Sequence, residues 1–216
     1  MMQKIDEHPE FINKIVFSDE ATFLLDGAVN RHNCRYWSDI NPHWMRETNS
    51  QYPQKLNVWA GIVGTHIIGP FFIDGTLTAE KYLTMLRDDI VPSIRNIFGQ
   101  DFDSVWFQQD GAPPHFGLQV RNFLNDTFPE RWIGSRGAIE WPPRLPDLTA
   151  LDFFFWGYLK DRVYKTKPRN LDDLRHRITT QVALITIDML EIISSNFYQR
   201  LAHCQTVQGQ QFEHLL

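Results

Sequence analysis

Asp19, Asp110 and Asp152 are the residues of this 216-residue chain whose type and setting suit them to chemistry. Asp110 follows the β-branched and aromatic run Val105-Trp106-Phe107 and precedes Gly111-Ala112-Pro113-Pro114, so it stands where a strand stops and a turn begins. In open α/β sheets the carboxyl ends of strands are where ligands collect. Asp19 interrupts a second strand-like stretch, and Asp152 falls at about the third residue of a helix opening near Ala150, where the helix dipole favours an ionised carboxylate. Three carboxylates without His or Cys form an oxygen donor set suited to Mg²⁺ or Mn²⁺, which keep several waters and leave positions for phosphate oxygens. Two such ions could activate a water or a 3′-hydroxyl and stabilise the leaving oxygen of a phosphodiester.

Each acid also has an ordinary reading. Asp110 could cap the helix that His115-Phe116-Gly117-Leu118 opens, and Asp19 could face solvent or sit at a bulge. Asp147, in the loop Leu145-Pro146-Asp147, rivals Asp152 as the third acid, although Asp is common in turns. Glu20 should point to the face opposite Asp19, in a structural or solvated role. His115 could hydrogen-bond into the site or approach a phosphate backbone; a cap or surface position is the commoner fate of such a residue. Arg131, Arg136, Arg144, Lys160, Arg162, Lys165, Lys167 and Arg169 crowd around Asp152 in sequence, either as a solvated face or as the positive flank a phosphate backbone needs.

The elements that must position these acids follow from periodicity. Ile15-Val16-Phe17 and Phe23-Leu24-Leu25 read as strand, Asn30 to Trp37 as a second strand, and Leu56 to Ile73 as a hairpin turning at Gly64-Thr65-His66. Thr78 reads as the cap of a helix running to about Phe98, with Pro92 as a kink or restart. After the Val105 strand, Val120, Phe123, Leu124 and Phe128 mark a helix stopped by Pro129, and Trp132-Ile133 with Ala138-Ile139 mark a short strand. Thr149 can cap a long helix, and helices of about Leu171 to Ile185 and Ile187 to Cys204 close the chain. This order predicts an α/β fold with a mixed sheet and helices on both faces, the element order of the ribonuclease H-like fold, in a single domain over residues 1–216. With the first strand central beside the Val105 strand, Asp19 and Asp110 become neighbours.

Composition adds bounds. With 43% hydrophobic and 13% aromatic residues the chain can bury one substantial core. A net charge of -5 leaves any grip on nucleic acid to local basic patches. Cys34 and Cys204 lie far apart with no CxxC spacing, against a disulfide framework or a cysteine zinc site and in keeping with a reducing interior. The N-terminal MMQKIDEHPEF has no apolar core of a signal peptide, and no run reaches the roughly 18 apolar residues of a membrane span.

FSDEATF, NPHWMRE, VWAGI, IGPFFIDG, WFQQDGAPPH, WPPRLPDLTALDFFFWGYLK and the closing QFEHLL, taken in order, resemble the catalytic domain of mariner-type transposases of the DDE/DDD superfamily, over essentially the whole chain. The resemblance implies a ribonuclease H-like fold, two Mg²⁺ or Mn²⁺ ions, and cut-and-paste movement of DNA by strand cleavage and strand transfer. It matches Asp19, Asp110 and Asp152 to the family's three metal-binding acids, the third being Asp after a long second spacing. It further implies transposon ends and target DNA as partners, a homodimer in the full assembly, no membrane, and a nuclear location. The family's N-terminal helix-turn-helix modules are expected to be absent from this chain. Leu145 and Ala150 replace a Ser and a Pro of the family pattern, which bears on the loop before Asp152. Glycoside hydrolysis by paired carboxylates needs no third acid and no basic flank. The non-enzymatic alternative is a decayed or domesticated domain that binds nucleic acid or a partner without catalysis.

Overall fold

In a computed structural model describing residues 1–27, 53–141 and 148–206, strand β1 (Ile15–Leu24) runs unbroken through Ser18-Asp19-Glu20. It pairs antiparallel with β2 (Lys55–Val63), which pairs antiparallel with β3 (His66–Ile73), and on its other side it pairs parallel with β4 (Trp106–Gln108), which leads to β5 (Trp132–Ile133). The strand order β3-β2-β1-β4-β5 makes a five-stranded mixed sheet, and the fold is ribonuclease H-like as the element order predicts. The pairing of Asp19 with Ala60 is regular, so Asp19 does not mark a bulge; the irregularity lies between Trp59 and Gly61 against β3.

Both faces of β1 are covered over Ile15-Val16-Phe17, which explains that continuous apolar run. Ile15, Phe17, Ala21 and Phe23 pack into one core with α5 (Trp156–Val163), α6 (Leu171–Ala183) and α7 (Ile187–Thr206), while Val16 joins Trp59, Phe107 and the helices α2 (Ala79–Met85), α3 (Val91–Phe98) and α4 (Leu118–Thr127) on the other. The short α1 (Met2–Glu7) adds Ile5 to the first core. Successive β1 side chains therefore belong to different layers.

Thr78 caps α2 as expected, its hydroxyl accepting from the Lys81 amide at 3.3 Å. The long helix expected from Thr78 to Phe98 is divided by a π-helical turn, Leu86–Ile90, and Pro92 sits in the first turn of α3, where a missing N–H costs no intrahelical bond. A second π-helical turn, Leu151–Phe155, precedes α5. The α6 and α7 axes meet at 79°, and no single helix among the described residues is long and apolar enough to cross a membrane. The expected strand Asn30 to Trp37, the NPHWMRE and QFEHLL motifs, and Arg144, Leu145 and Asp147 lie outside the described residues.

Candidate active site

Three elements bring the three aspartates to the point where the parallel pairing of β1 with β4 stops. β1 and β4 are in register at Phe17 and Gln108, so continuing two residues along each chain sets Asp19 beside Asp110. Ser18 locks this junction: its hydroxyl donates to the Gln108 carbonyl at 2.6 Å and its amide to Gln108 Oε1 at 3.4 Å. Asp152 arrives on the second π-helical turn, whose first amides, those of Asp152 and Phe153, donate to the Thr149 carbonyl at 2.9 and 3.1 Å. One turn further on, Trp156 donates its indole N–H to Asp19 Oδ2 at 2.7 Å. The helix that delivers Asp152 thus also fixes Asp19.

Asp19 and Asp152 are electrostatically joined. Burial first, then the charges of Asp152 and Glu20, push the Asp19 carboxyl well above the usual carboxylate range against the Trp156 N–H and the Glu20 amide. Burial and then the charge of Asp110 push Asp152 up to about 6, opposed by Lys160 and by its hydrogen bond with Asp19. The pair therefore keeps a proton to higher pH than either carboxylate alone in water would. Asp110 behaves differently: burial works against its ionisation, but the hydrogen bond and charge of His115 and the Ala112 amide outweigh it and hold its carboxyl below the usual range.

His115 is no surface residue. It is 3% exposed, with Nδ1 at 2.6 Å from Asp110 Oδ1 and Nε2 at 3.2 Å from Glu20 Oε1. Burial disfavours its charge, yet the two carboxylates raise its pKa to about 10, so it is an imidazolium at neutral pH and donates from both ring nitrogens. Tyr82 stacks on it with ring centres 4.2 Å apart and donates its hydroxyl to Gln109 Oε1 at 3.0 Å, while Gln109 Nε2 donates to the His115 carbonyl at 3.3 Å. Glu20 does point to the face opposite Asp19, and there it is a counter-ion for His115. Asp110 accepts from the Ala112 amide at 2.9 Å, so it closes its own turn and does not cap α4, whose first turn has no side-chain cap.

The chemistry of the donor set fits a divalent cation. Two of the three acids are pushed toward protonation, Asp19 by burial and the charge of Asp152, Asp152 by burial and the charge of Asp110, and the third is ionised, so a doubly charged ion supplies the missing countercharge. Among the described residues no three carboxylate, imidazole or thiol side chains are drawn around one point closely enough to hold an ion as they stand. The acids are linked in sequence, Asp19 to Asp152 and Asp152 to Asp110.

The basic flank is thinner than the sequence suggests. Arg131 turns to the other end of β4, donating to the Val105 and Phe102 carbonyls at 2.7 and 3.2 Å and pairing with Asp103 at 3.6 Å. Arg162 stacks on Tyr158. Lys167 and Arg169 line a cavity of about 290 Å³ with Asp26 and Gln54 beyond the end of β1. Lys165 is exposed. Lys160 acts on Asp152, and Arg136 lies over the Phe116 ring next to His115. Trp156, Tyr82 and Gln109 escaped the reading of the sequence. The i,i+4 spacing of Asp152 and Trp156 on one helix was the available signal for the first; nothing local marks the other two.

The sequence is homologous to two transposases of Caenorhabditis elegans. The Tc3 transposase is 28% identical over 202 residues, covering 91% of this chain and 57% of the relative, and the Tc1 transposase is 24% identical over 197 residues, covering 90% and 67%. The chain thus spans little more than half the length of the Tc3 transposase. No family model matches. Among solved structures, the Mos1 transposase catalytic domain with raltegravir and Mg superposes with a TM-score of 0.74 at 14% identity, covering 98% of this chain and 91% of that one. The Mos1 paired-end complex with the left transposon end gives a TM-score of 0.75 at 16% identity, covering 98% and 60%. The fold is that of the Mos1 catalytic domain.

Proposed function

We propose that this chain is the catalytic domain of a DNA transposase, cleaving and joining phosphodiester bonds with Mg²⁺ or Mn²⁺ held by Asp19, Asp110 and Asp152. The observation that carries this reading is the pairwise linkage of these three acids, from the middle of β1, from the residue after β4 and from the turn before α5, where the parallel pairing of β1 with β4 stops. Homology to the Tc3 and Tc1 transposases and the Mg-bearing Mos1 catalytic domain of the same fold support it. When bound, the ions would supply electrophilic stabilisation of the phosphate and activation of a water or 3′-hydroxyl.

The chain's own residues supply the positioning. Trp156 fixes one oxygen of Asp19 and leaves the other for coordination. His115 restrains Asp110 through Oδ1 and keeps it ionised, leaving Oδ2 as the ligand atom. Lys160 eases proton loss from Asp152. Transposon ends, target DNA, a homodimeric assembly and a nuclear location complete the proposal, with cut-and-paste transfer as the overall reaction. Because the chain's net charge is -5, the isolated domain grips duplex DNA weakly, without sequence preference, and in a strongly salt-dependent way.

The test is strand cleavage of end-labelled duplex by the chain, alone and joined to a DNA-recognition module, in Mg²⁺ and Mn²⁺. Products are expected with either metal, and none from Asp19→Ala, Asp110→Ala or Asp152→Ala proteins that keep the parent's circular dichroism. A chain that binds duplex yet cuts none with either metal overturns the catalytic reading, as does cleavage that survives loss of any of the three acids.

A further inference from the structure

The turn after Asp110 carries a feature that the metal chemistry does not use. Phe116, next in sequence to His115, is 40% exposed, and two guanidinium groups lie over its ring, Arg121 from α4 and Arg136 from the turn after β5, each with its central carbon 5.0 Å from the ring centre. Each cation is attracted by the ring face, but the two repel one another, and neither has a carboxylate partner among the described residues. Elsewhere, Arg131 also lies over aromatic rings, yet it is neutralised by Asp103 and tied to two carbonyls.

Two further observations show that the pair is held in place at a cost. The Nε–H of Arg121 is buried without an acceptor, so its own hydrogen bonding does not fix it there. Arg136 has φ 68°, a left-handed conformation that glycine adopts freely and arginine does not, in a turn closed by the Gly137 amide donating to the Gly134 carbonyl at 3.0 Å. The tightness of that turn is evident at Gly137, where a Cβ would come within 2.6 Å of the Trp132 carbonyl oxygen. An arginine strained into this position, and sharing one aromatic ring with a second unneutralised arginine, lacks an anion.

We infer that Arg121 and Arg136, braced on Phe116, form a clamp for a single backbone phosphate of the DNA strand, adjacent to the one processed at Asp110. Guanidinium groups bind phosphate oxygens in a fixed fork, and two of them on a rigid aromatic seat hold one phosphate without large loss of side-chain freedom. The inference rests on the proposed reading of the chain as DNA-processing, and it adds to the site a contact that orients the strand without touching the reacting phosphate.

The experiment is fluorescence anisotropy of the full chain with a fluorescein-labelled duplex of arbitrary sequence, titrated at several salt concentrations. Arg121→Gln, Arg136→Gly and their double variant are compared with Arg87→Gln, a control whose arginine is already paired with Asp88 at 2.7 Å. Each single variant is expected to weaken binding about five- to tenfold at low salt and to reduce the slope of log affinity against log salt by about 0.9, the share of one phosphate. The double variant should lose no more slope than either single one, because both arginines serve the same phosphate, and the control should lose none. Arg136→Gly relieves the left-handed strain and should melt at or above the parent temperature, which separates lost contact from lost fold. Unchanged slopes in the single variants overturn the clamp while leaving the DNA reading intact, and a double-variant loss of about 1.8 overturns the shared phosphate. No binding of duplex by the parent chain overturns both.

Discussion

Asp152→Asn should stabilise the metal-free protein, and the gain should depend on pH. The folded carboxyl titrates at about 6 against an ordinary value of 3.8. Its contribution to stability is therefore fully present below pH 3.8 and is lost as pH rises through the folded value of about 6. The difference of roughly two units corresponds to about 3 kcal/mol, and because the side chain is only partly buried, solvent screening reduces this to about 1–2 kcal/mol. A neutral Asn escapes the loss. At pH 8 the variant should melt about 2–8 °C above the parent in EDTA, with roughly half that gain at pH 5, where the parent carboxyl is still mostly protonated in the folded state. Thermal melts followed by circular dichroism at both pH values provide the measurement. Mg²⁺ should then raise the melting temperature of the parent more than that of the variant, since only the parent gains a ligand charge by releasing a proton. Equal effects of the substitution at the two pH values, or equal Mg²⁺ stabilisation of both proteins, would refute the argument that Asp152 is held partly protonated by its neighbours in readiness for a cation.

Removing His115 leaves half-exposed Asp110 and partly buried Glu20 without their shared counter-ion: His115→Ala should cost about 2–3 kcal/mol in urea unfolding at pH 7, and a loss under 1 kcal/mol would show these pairs to be idle. Trp156→Phe keeps an aromatic ring beside Phe23 but removes the N–H on Asp19; the expected cost is about 1–2 kcal/mol in the same assay, together with weaker Mg²⁺ stabilisation. His115→Gln retains a donor toward Asp110 without the charge, so it should recover part of the stability lost in the Ala variant; no recovery would mean that charge alone holds the turn.

The residues that carry the proposed chemistry were easier to read than those that hold them. Asp110 at a strand end and Asp152 in a first helical turn announce themselves because β-branched runs, Pro-Pro and helical apolar spacing are local signals, although Thr149 accepts there through its carbonyl and not through its side chain, and the parallel pairing of β1 with β4 follows from element order. The long helices did not betray their π-helical turns, since widening a turn by one residue leaves the apolar periodicity almost unchanged over a few residues. His115 was legible as a residue of interest, but its burial between Asp110 and Glu20 depends on β1 delivering Glu20 from far away in the chain, and no spacing rule connects them. Arg131 shows the opposite failure. Proximity in sequence to Asp152 suggested a shared surface, whereas the strand between them carries its guanidinium to the far end of β4.

The hydrogen bond from the Trp156 indole to Asp19 also makes the molecule its own optical probe. Indole emission is sensitive to a charge placed on the atom that accepts its N–H, and here that atom belongs to an acid whose protonation is set by its surroundings. Six other tryptophans emit as well, Trp156 being one of 7 in the chain, so the useful signal is the difference between the parent and its Trp156→Phe variant. That difference spectrum reports the charge on a single carboxylate in an unlabelled protein, and it allows occupancy of the site to be followed in real time without any DNA being cut.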